Sequence, residues 1–193
     1  SLLVFYPEDG HLQPAQFVTA LAKEAERLGT TIHSDTQMLG FASSGGRVQA
    51  VRTIRGDFGA DTFVLAAGSW VSQVVRDLGL RLPIQPAKGY SITFKRPEKC
   101  PSMPVMMTEA KVGATPMADT FRFAGTLELA GLDMSINQRR VNSILNTIPS
   151  YFPDLPADRM EMIEIWRGLR PCTPDGLPFL GRPGRYSNLV IGA

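Results

Sequence analysis

The residues with the clearest chemical potential lie late in the chain, in the stretch WRGLRPCTPDGLPFLG from Trp166 to Gly181. Arg170 sits between Leu169 and Pro171. A guanidinium is planar and permanently charged, and its paired N–H groups match a carboxylate. The proline restricts the neighbouring backbone, so the pattern suits an arginine held in a fixed position. An ion pair with Asp175 or Glu164 is the structural alternative, and Arg167 competes for the same role. Asp175-Gly176 reads as turn chemistry. A second stretch, VLAAGSW from Val64 to Trp70, runs from apolar to small residues and then opens a helix at Ser69. Small residues let a ligand approach the backbone, and a helix N-terminus favours negative charge. Tight strand–helix packing explains the same residues. The chain contains no G-x-G-x-x-G, so no complete dinucleotide fingerprint is present. No Ser/His/Asp or Cys/His arrangement stands out, and Glu109 and Glu128 are not spaced as an acid–base pair. His11 reads as a polar turn residue. Tyr90 opens a strand after a Pro-rich crossing and suits either a crevice or the core. The eight methionines, Met106-Met107 among them, read as adaptable core.

The totals narrow the classes. A chain of 193 residues with 44% hydrophobic and 20% charged residues is ordinary for a globular protein. Net charge is +2 and the basic residues form no run, so nucleic acid is not an expected partner. No apolar run reaches the ~20 residues that cross a bilayer. SLLVFYPEDGH lacks the basic start and long apolar centre of a secretory leader, and none is expected. Cys100 and Cys172, even with His11 and His33, are too few for a disulfide framework or a zinc site, so no metal is expected.

The elements that must position these residues follow from periodicity. Phe17, Val18, Leu21, Ala25 and Leu28 recur at helical spacing between Pro14 and Leu28, with Gly29 as the terminator. TTIHS, QMLGFAS, RVQAVRTIR and ADTFVLAAG read as four strands separated by turns such as SSGG and GDFG. FVLAA has the continuous apolar character of a strand covered on both faces. Ser69 is expected to cap a helix to about Leu78. Composition then shifts at LPIQPAKG, which places a domain boundary near Pro83. YSITFKR, VMMTEA, KVGATPM and TFRFAGTLEL read as a mostly antiparallel sheet. Asn137 should cap a helix to about Ser150, with Val141, Ile144, Leu145 and Ile148 as its buried stripe. RMEMIEIWRGL and NLVIGA read as strands, and Trp166–Gly181 as a rigid return crossing between domains, where ligands tend to bind. The expected division is 1–83, with a crossing segment at 1–13, then 84–165, then 166–193. Both ends fall on apolar segments, so the chain is expected to be a piece of a longer protein.

PEDGHLQP, VLAAGSW, LPIQPAKGYSITF, GTLELAG, WRGLRPCTPDGLPFLG and NLVIGA occur in that order along nearly the whole chain. Together they resemble the FAD-dependent D-amino acid dehydrogenase branch of the amino-acid oxidase superfamily. Glycine oxidase, sarcosine oxidase and D-amino acid oxidase are relatives. The resemblance implies a partial α/β FAD-binding domain and a second α+β substrate domain on a mostly antiparallel sheet. It also implies a G-x-G-x-x-G loop upstream and a flavin-facing Gly-His-Gly-type loop downstream. On that basis this piece alone should hold FAD weakly or not at all and be inactive. Arg170 matches the arginine that binds the substrate carboxylate, and Tyr90 is the candidate for an assisting tyrosine. Met38, in DTQM, falls where main-chain atoms hold the adenine, with Met in place of the usual Val. Ala66, Ala67, Gly68 and Trp70 match the strand end that passes near the cofactor, and Ala193 falls just before the flavin-facing loop. No catalytic side chain is implied, because the flavin carries the chemistry. The implied reaction converts amino acids, D-amino acids first, to 2-oxo acids and ammonia, with a quinone or oxygen as electron acceptor. Glycine, sarcosine or an L-2-hydroxy acid are alternative substrates on the same scaffold. A non-catalytic module that binds a small carboxylate is the alternative of another class. The implied location is the cytoplasm, or the periphery of the bacterial inner membrane.

Overall fold

A computed structural model describes residues 4–155 and 157–193. The first helix, α1, covers Pro14–Arg27, with proline in its first turn, where no intrahelical N–H bond is needed. Gly29, at φ +97, ends it in a conformation that favours glycine. None of its residues is buried, and Phe17, Val18 and Leu21 lie exposed along one side.

β1 (Met38–Ser44), β2 (Arg47–Thr53) and β3 (Gly56–Gly59) form an antiparallel three-stranded sheet. Two expectations fail here. TTIHS is not a strand: it pairs with no strand among the described residues and leads instead to a turn at Asp35. GDFG is not only a turn. Thr53 closes a tight bend by donating its hydroxyl to the Gly56 carbonyl and accepting from the Arg55 N–H, which returns GDFG along β2 as β3.

A second sheet has the order β10-β11-β4, from Leu180–Gly181, Leu189–Gly192 and Phe63–Leu65. β4 runs parallel to β11 and lies at the sheet edge, and Val64 is exposed, so the described residues cover FVLAA on one face only. The helix expected after Ser69 is a mixed segment, with 3₁₀ turns at Gly68–Trp70 and Val75–Leu78 around one α-turn, α2 (Val71–Val74). Ser69 does not cap it: Ala67 occupies the cap position, without a side-chain bond. Phe41, Val48, Phe63, Leu65, Val75 and Leu189 belong to the core that joins these elements. Asn188 crosslinks it, accepting from the Val48 N–H at 2.9 Å and donating to the Val48 carbonyl at 2.8 Å.

A third sheet, of five strands, is antiparallel throughout, in the order β6-β7-β8-β5-β9. Its strands are β5 (Gln85–Lys95), β6 (Val105–Met107), β7 (Val112–Pro116), β8 (Thr120–Glu128) and β9 (Met162–Cys172). α3 (Gln138–Tyr151) packs on one face, capped as expected by the Asn137 side chain, which accepts from the Arg139 N–H. Val141, Ile144 and Ile148 are buried, Leu145 partly so, against Tyr90, Ile92, Phe94, Phe121 and Phe123. This second core shares no buried residue with the first.

The strand expected over RMEMIEIWRGL begins at Met162 and runs on through Arg170, Pro171 and Cys172 as β9, so these residues are strand and not part of the turn-rich crossing. Gly168 and Pro171 are tolerated because β9 is an edge strand, where a proline without an N–H breaks no ladder on its open side. The turn-rich link begins only at Thr173. No helix among the described residues is long and apolar enough to cross a membrane.

Candidate functional site

The parallel pairing of β4 with β11 sets one half of the site. Leu65 lies opposite Ile191, so Ala66, Ala67 and Gly68 leave the sheet beside Gly192 and Ala193. In open α/β sheets ligands bind at such carboxyl ends. Gly68 has φ +50, and a Cβ built there would meet no atom within 4 Å, so the strand ends on open space. The Ser69 hydroxyl beside it is buried with no hydrogen-bond partner among the described residues. Ala193 is pinned by reciprocal backbone bonds with Phe179, at 2.6 and 3.0 Å. Met38 packs against the same core as Ala67 and Ala193, while Trp70 remains half exposed. Met38, Ala67 and Ala193 thus pack against one core, and Ala66 and Gly68 flank Ala67 where the strand ends. A backbone open to close approach and an unpaired hydroxyl beside it fit an extended polar cofactor such as FAD.

The other half rests on register. Arg170 lies opposite Ala87, and Tyr90 opposite Arg167. Positions three apart on a strand point to opposite faces. Tyr90 belongs to the core under α3, so Arg170 lies on the other, open face. Arg170 is exposed and makes no hydrogen bond or ion pair among the described residues. Neither expected acid engages it; Asp175 accepts from the Leu177 N–H and closes its own turn. Arg167 is half-buried and donates its Nε to the Met134 carbonyl at 2.9 Å, fastening the segment after β8 to β9. The first 3₁₀ turn, Gly68–Trp70, packs beside β9, so the strand ends and the arginine strand are neighbours.

Tyr90 is not brought to Arg170. It is 2% exposed, and its hydroxyl donates to Glu128 Oε2 at 2.7 Å while accepting from the Asn137 N–H at 3.3 Å. It belongs to a buried polar network around Lys88, which the sequence reading passed over. Lys88 is 1% exposed and donates to Asp133 Oδ2 at 2.7 Å and to the Ser135 carbonyl at 2.9 Å. Asn137 donates its Nδ2 to Glu128 Oε1 at 3.0 Å. The hydrogen bond to Asp133 raises the Lys88 pKa. The Lys88 bond holds Asp133 well below the ordinary carboxylate range, and the Tyr90 hydroxyl lowers Glu128. The signal available in the sequence was parity: Lys88 alternates in step with Tyr90, Ile92 and Phe94, which places it on their buried face.

An antiparallel sheet bearing an arginine with no partner among the described residues thus lies beside the open ends of parallel strands, the kind of place where ligands bind. The chain belongs to the FAD dependent oxidoreductase family, which it matches over residues 3–193. It is 40% identical over 177 residues to a D-amino acid dehydrogenase of Agrobacterium fabrum, covering 91% of this chain and 42% of that protein. Its fold superposes on glycine oxidase from Geobacillus kaustophilus with a TM-score of 0.81 and 25% identity, over 91% of this chain and 46% of that one. Iminodiacetate oxidase from Chelativorans matches with the same TM-score and 26% identity, over 92% and 48%. The chain thus spans less than half the length of these proteins.

Proposed function

We propose that the complete protein carrying this chain oxidises the CH–NH2 group of amino acids, D-amino acids first, to 2-oxo acids and ammonia. The observation that carries the reading is Arg170, a guanidinium with no partner among the described residues, on the open face of the strand that packs beside Gly68–Trp70. The D-amino acid dehydrogenase and glycine oxidase relatives support the same substrate class.

Bound FAD supplies the acceptor for the two electrons that leave the substrate Cα–H bond, after which water hydrolyses the imino acid. The chain's own residues bind and orient. Arg170 donates paired N–H bonds to the α-carboxylate and fixes the position of Cα. Fixing one end of a small substrate turns an encounter into a near-attack geometry, which is worth several orders of magnitude in rate. Ala66, Ala67 and Gly68 keep the strand end low enough for a cofactor to lie against it, with Ala193 beside them. Met38 contributes main-chain atoms to the adenine end, and Trp70 borders the strand end. Tyr90 acts from behind the sheet, through the Glu128 and Asn137 bonds, rather than on substrate. Residues 1–83 and 173–193 serve the cofactor, and 84–172 the substrate, because β9 carries Arg170 to its end at Cys172 rather than leaving the sheet at Trp166. The electrons pass to a quinone or to oxygen, and the protein works in the cytoplasm or at the inner face of the membrane.

The test uses the full reading frame under anaerobic conditions, with flavin absorbance followed as amino acids are added. Bleaching by D-amino acids is the expected result. Bleaching by glycine, sarcosine or 2-hydroxy acids alone would replace the substrate class. A flavin that no such compound bleaches would remove the catalytic reading in favour of a carboxylate-binding module.

A further inference from the structure

The open face of the five-stranded sheet has an ordered row structure that follows from register. Ala87 pairs with Arg170, Gly89 with Gly168 and Ser91 with Trp166. On the other side of β5, Gly89 pairs with Leu127 and Ser91 with Ala124. Opposed residues on paired strands share a face, and alternate positions along a strand repeat about every 7 Å. One surface therefore carries Arg170 at one end, then Gly168, Gly89 and Leu127 across the middle, then Trp166, Ser91 and Ala124.

The middle row is shaped by two large side chains. A Cβ at Gly168 would collide with the six-membered ring of Trp166, so the indole already fills the space above that glycine and reaches along β9 toward Arg170. A Cβ at Gly89 would come within 3.6 Å of a Leu127 methyl, so Leu127 leans over the other glycine. Trp166 is 51% and Leu127 53% exposed, although both are large and apolar. Beneath them the Ser91 hydroxyl is buried and has no hydrogen-bond partner among the described residues. The result is an apolar floor and wall around an unpaired guanidinium. A carboxylate gripped at Arg170 leaves its substituent with that apolar surface as its nearest neighbour on the strand.

We propose that Trp166 and Leu127 select the substrate side chain, and that the preferred substrates are amino acids with extended apolar side chains. This rests on the amino-acid oxidation reading above. Transfer of an apolar substituent from water onto such a surface favours it by about 0.8 kcal/mol per buried methylene, or roughly fourfold each. A charged substituent gains nothing there and loses hydration. Gly168 and Gly89 take part only by yielding space. Alanine at Gly168 would push the indole off the strand.

The experiment measures the rate of anaerobic flavin reduction in the complete FAD-loaded protein at subsaturating D-alanine, D-norvaline, D-leucine and D-lysine. Wild type is expected to favour D-norvaline and D-leucine over D-alanine by tenfold or more and to disfavour D-lysine. In Leu127→Asp the D-leucine to D-alanine ratio should fall at least tenfold, and the D-lysine to D-leucine ratio should rise. Trp166→Ala should lower the D-leucine to D-alanine ratio similarly, while Trp166→Phe keeps it within about threefold. Ratios within one variant cancel losses of folded or flavin-loaded protein, so a general structural defect does not mimic the effect. A wild type that amino acids bleach, with ratios that neither Leu127→Asp nor Trp166→Ala moves, overturns this inference and leaves the amino-acid reading intact. A wild type that no amino acid bleaches overturns both.

Discussion

The two faces of the five-stranded sheet treat Lys88 and Arg170 in opposite ways. On the α3 face, Lys88 and the half-buried Arg167 are both spoken for. Lys88 meets Asp133 and the Ser135 carbonyl, and Arg167 meets the Met134 carbonyl. On the open face Arg170 has no partner among the described residues, and two large apolar side chains stand exposed beside the glycine row. A buried charge left unpaired costs several kcal/mol, so the closed face must satisfy every ion it holds. An exposed cation carries no such cost and is available for a ligand. Two arginines three residues apart on one strand thus divide the work: one fastens the fold and one remains for chemistry.

That contrast breaks most sharply at Arg170. In the complete protein, Arg170→Ala should lower kcat/KM for an amino-acid substrate by about 2–5 kcal/mol, the scale of removing one member of a desolvated charge pair. Its Tm should stay within about 2 °C of wild type, because the side chain packs against nothing the fold needs. A kcat/KM within threefold of wild type, measured by anaerobic flavin reduction, would remove Arg170 from the site.

Lys88→Met inverts the pattern. It keeps the stem and deletes the ammonium, so it should cost about 2 kcal/mol of stability, the scale of hydrogen bonds to charged groups. Urea or thermal unfolding of the complete protein reads this directly, and an unchanged midpoint would show that the network contributes nothing. Arg167→Ala should cost about 1 kcal/mol, for one hydrogen bond to a carbonyl. It should change kcat/KM far less than Arg170→Ala does, and equal losses from the two variants would erase the division between them.

The smallest effect is in pH. Glu128 and Asp133 have folded pKa values below their ordinary 4.5 and 3.8. Their contribution to stability is therefore complete above those values and is lost as pH falls through the folded ones. Lys88 is raised above its ordinary 10.5, so its contribution is complete below that value and fades as pH rises beyond it. The stability difference between wild type and Lys88→Met should hold from about pH 5 to pH 10 and shrink in acid. A difference that grows on acidification would contradict the assignment of these partners.

Part of the fold is legible in the sequence alone. α3 was readable because its determinants are local: Asn137 caps the first turn, and Val141, Ile144 and Ile148 fall on one side of a regular helix. The antiparallel strands were readable from alternation. β9 reads as a strand only to Leu169, because Pro171 and the turn residues after it look alike in sequence and hide its end at Cys172. Only an edge position, with β5 on one side alone, makes a strand of Arg170, Pro171 and Cys172. GDFG was misread because its strand character comes from the Thr53 bend and the ladder to β2 rather than from its own residues. In sequence Tyr90 suits crevice and core alike, because the choice depends on register.

The sequence by itself determined the residue types: a guanidinium held next to a proline, a strand ending in Ala-Ala-Gly, and a capped amphipathic helix. These rest on side-chain chemistry and contacts within a few residues. Tertiary structure alone decided which arginine is unpartnered, which groups Lys88 meets, and that Leu127 faces the same way as Arg170. Facing in a sheet is fixed by pairing across long separations. A single unpaired residue resets it, as Thr126 does at φ +56 between Leu127 opposite Gly89 and Gly125 opposite Tyr90. No short window of sequence contains that information, because the partner strand lies dozens of residues away.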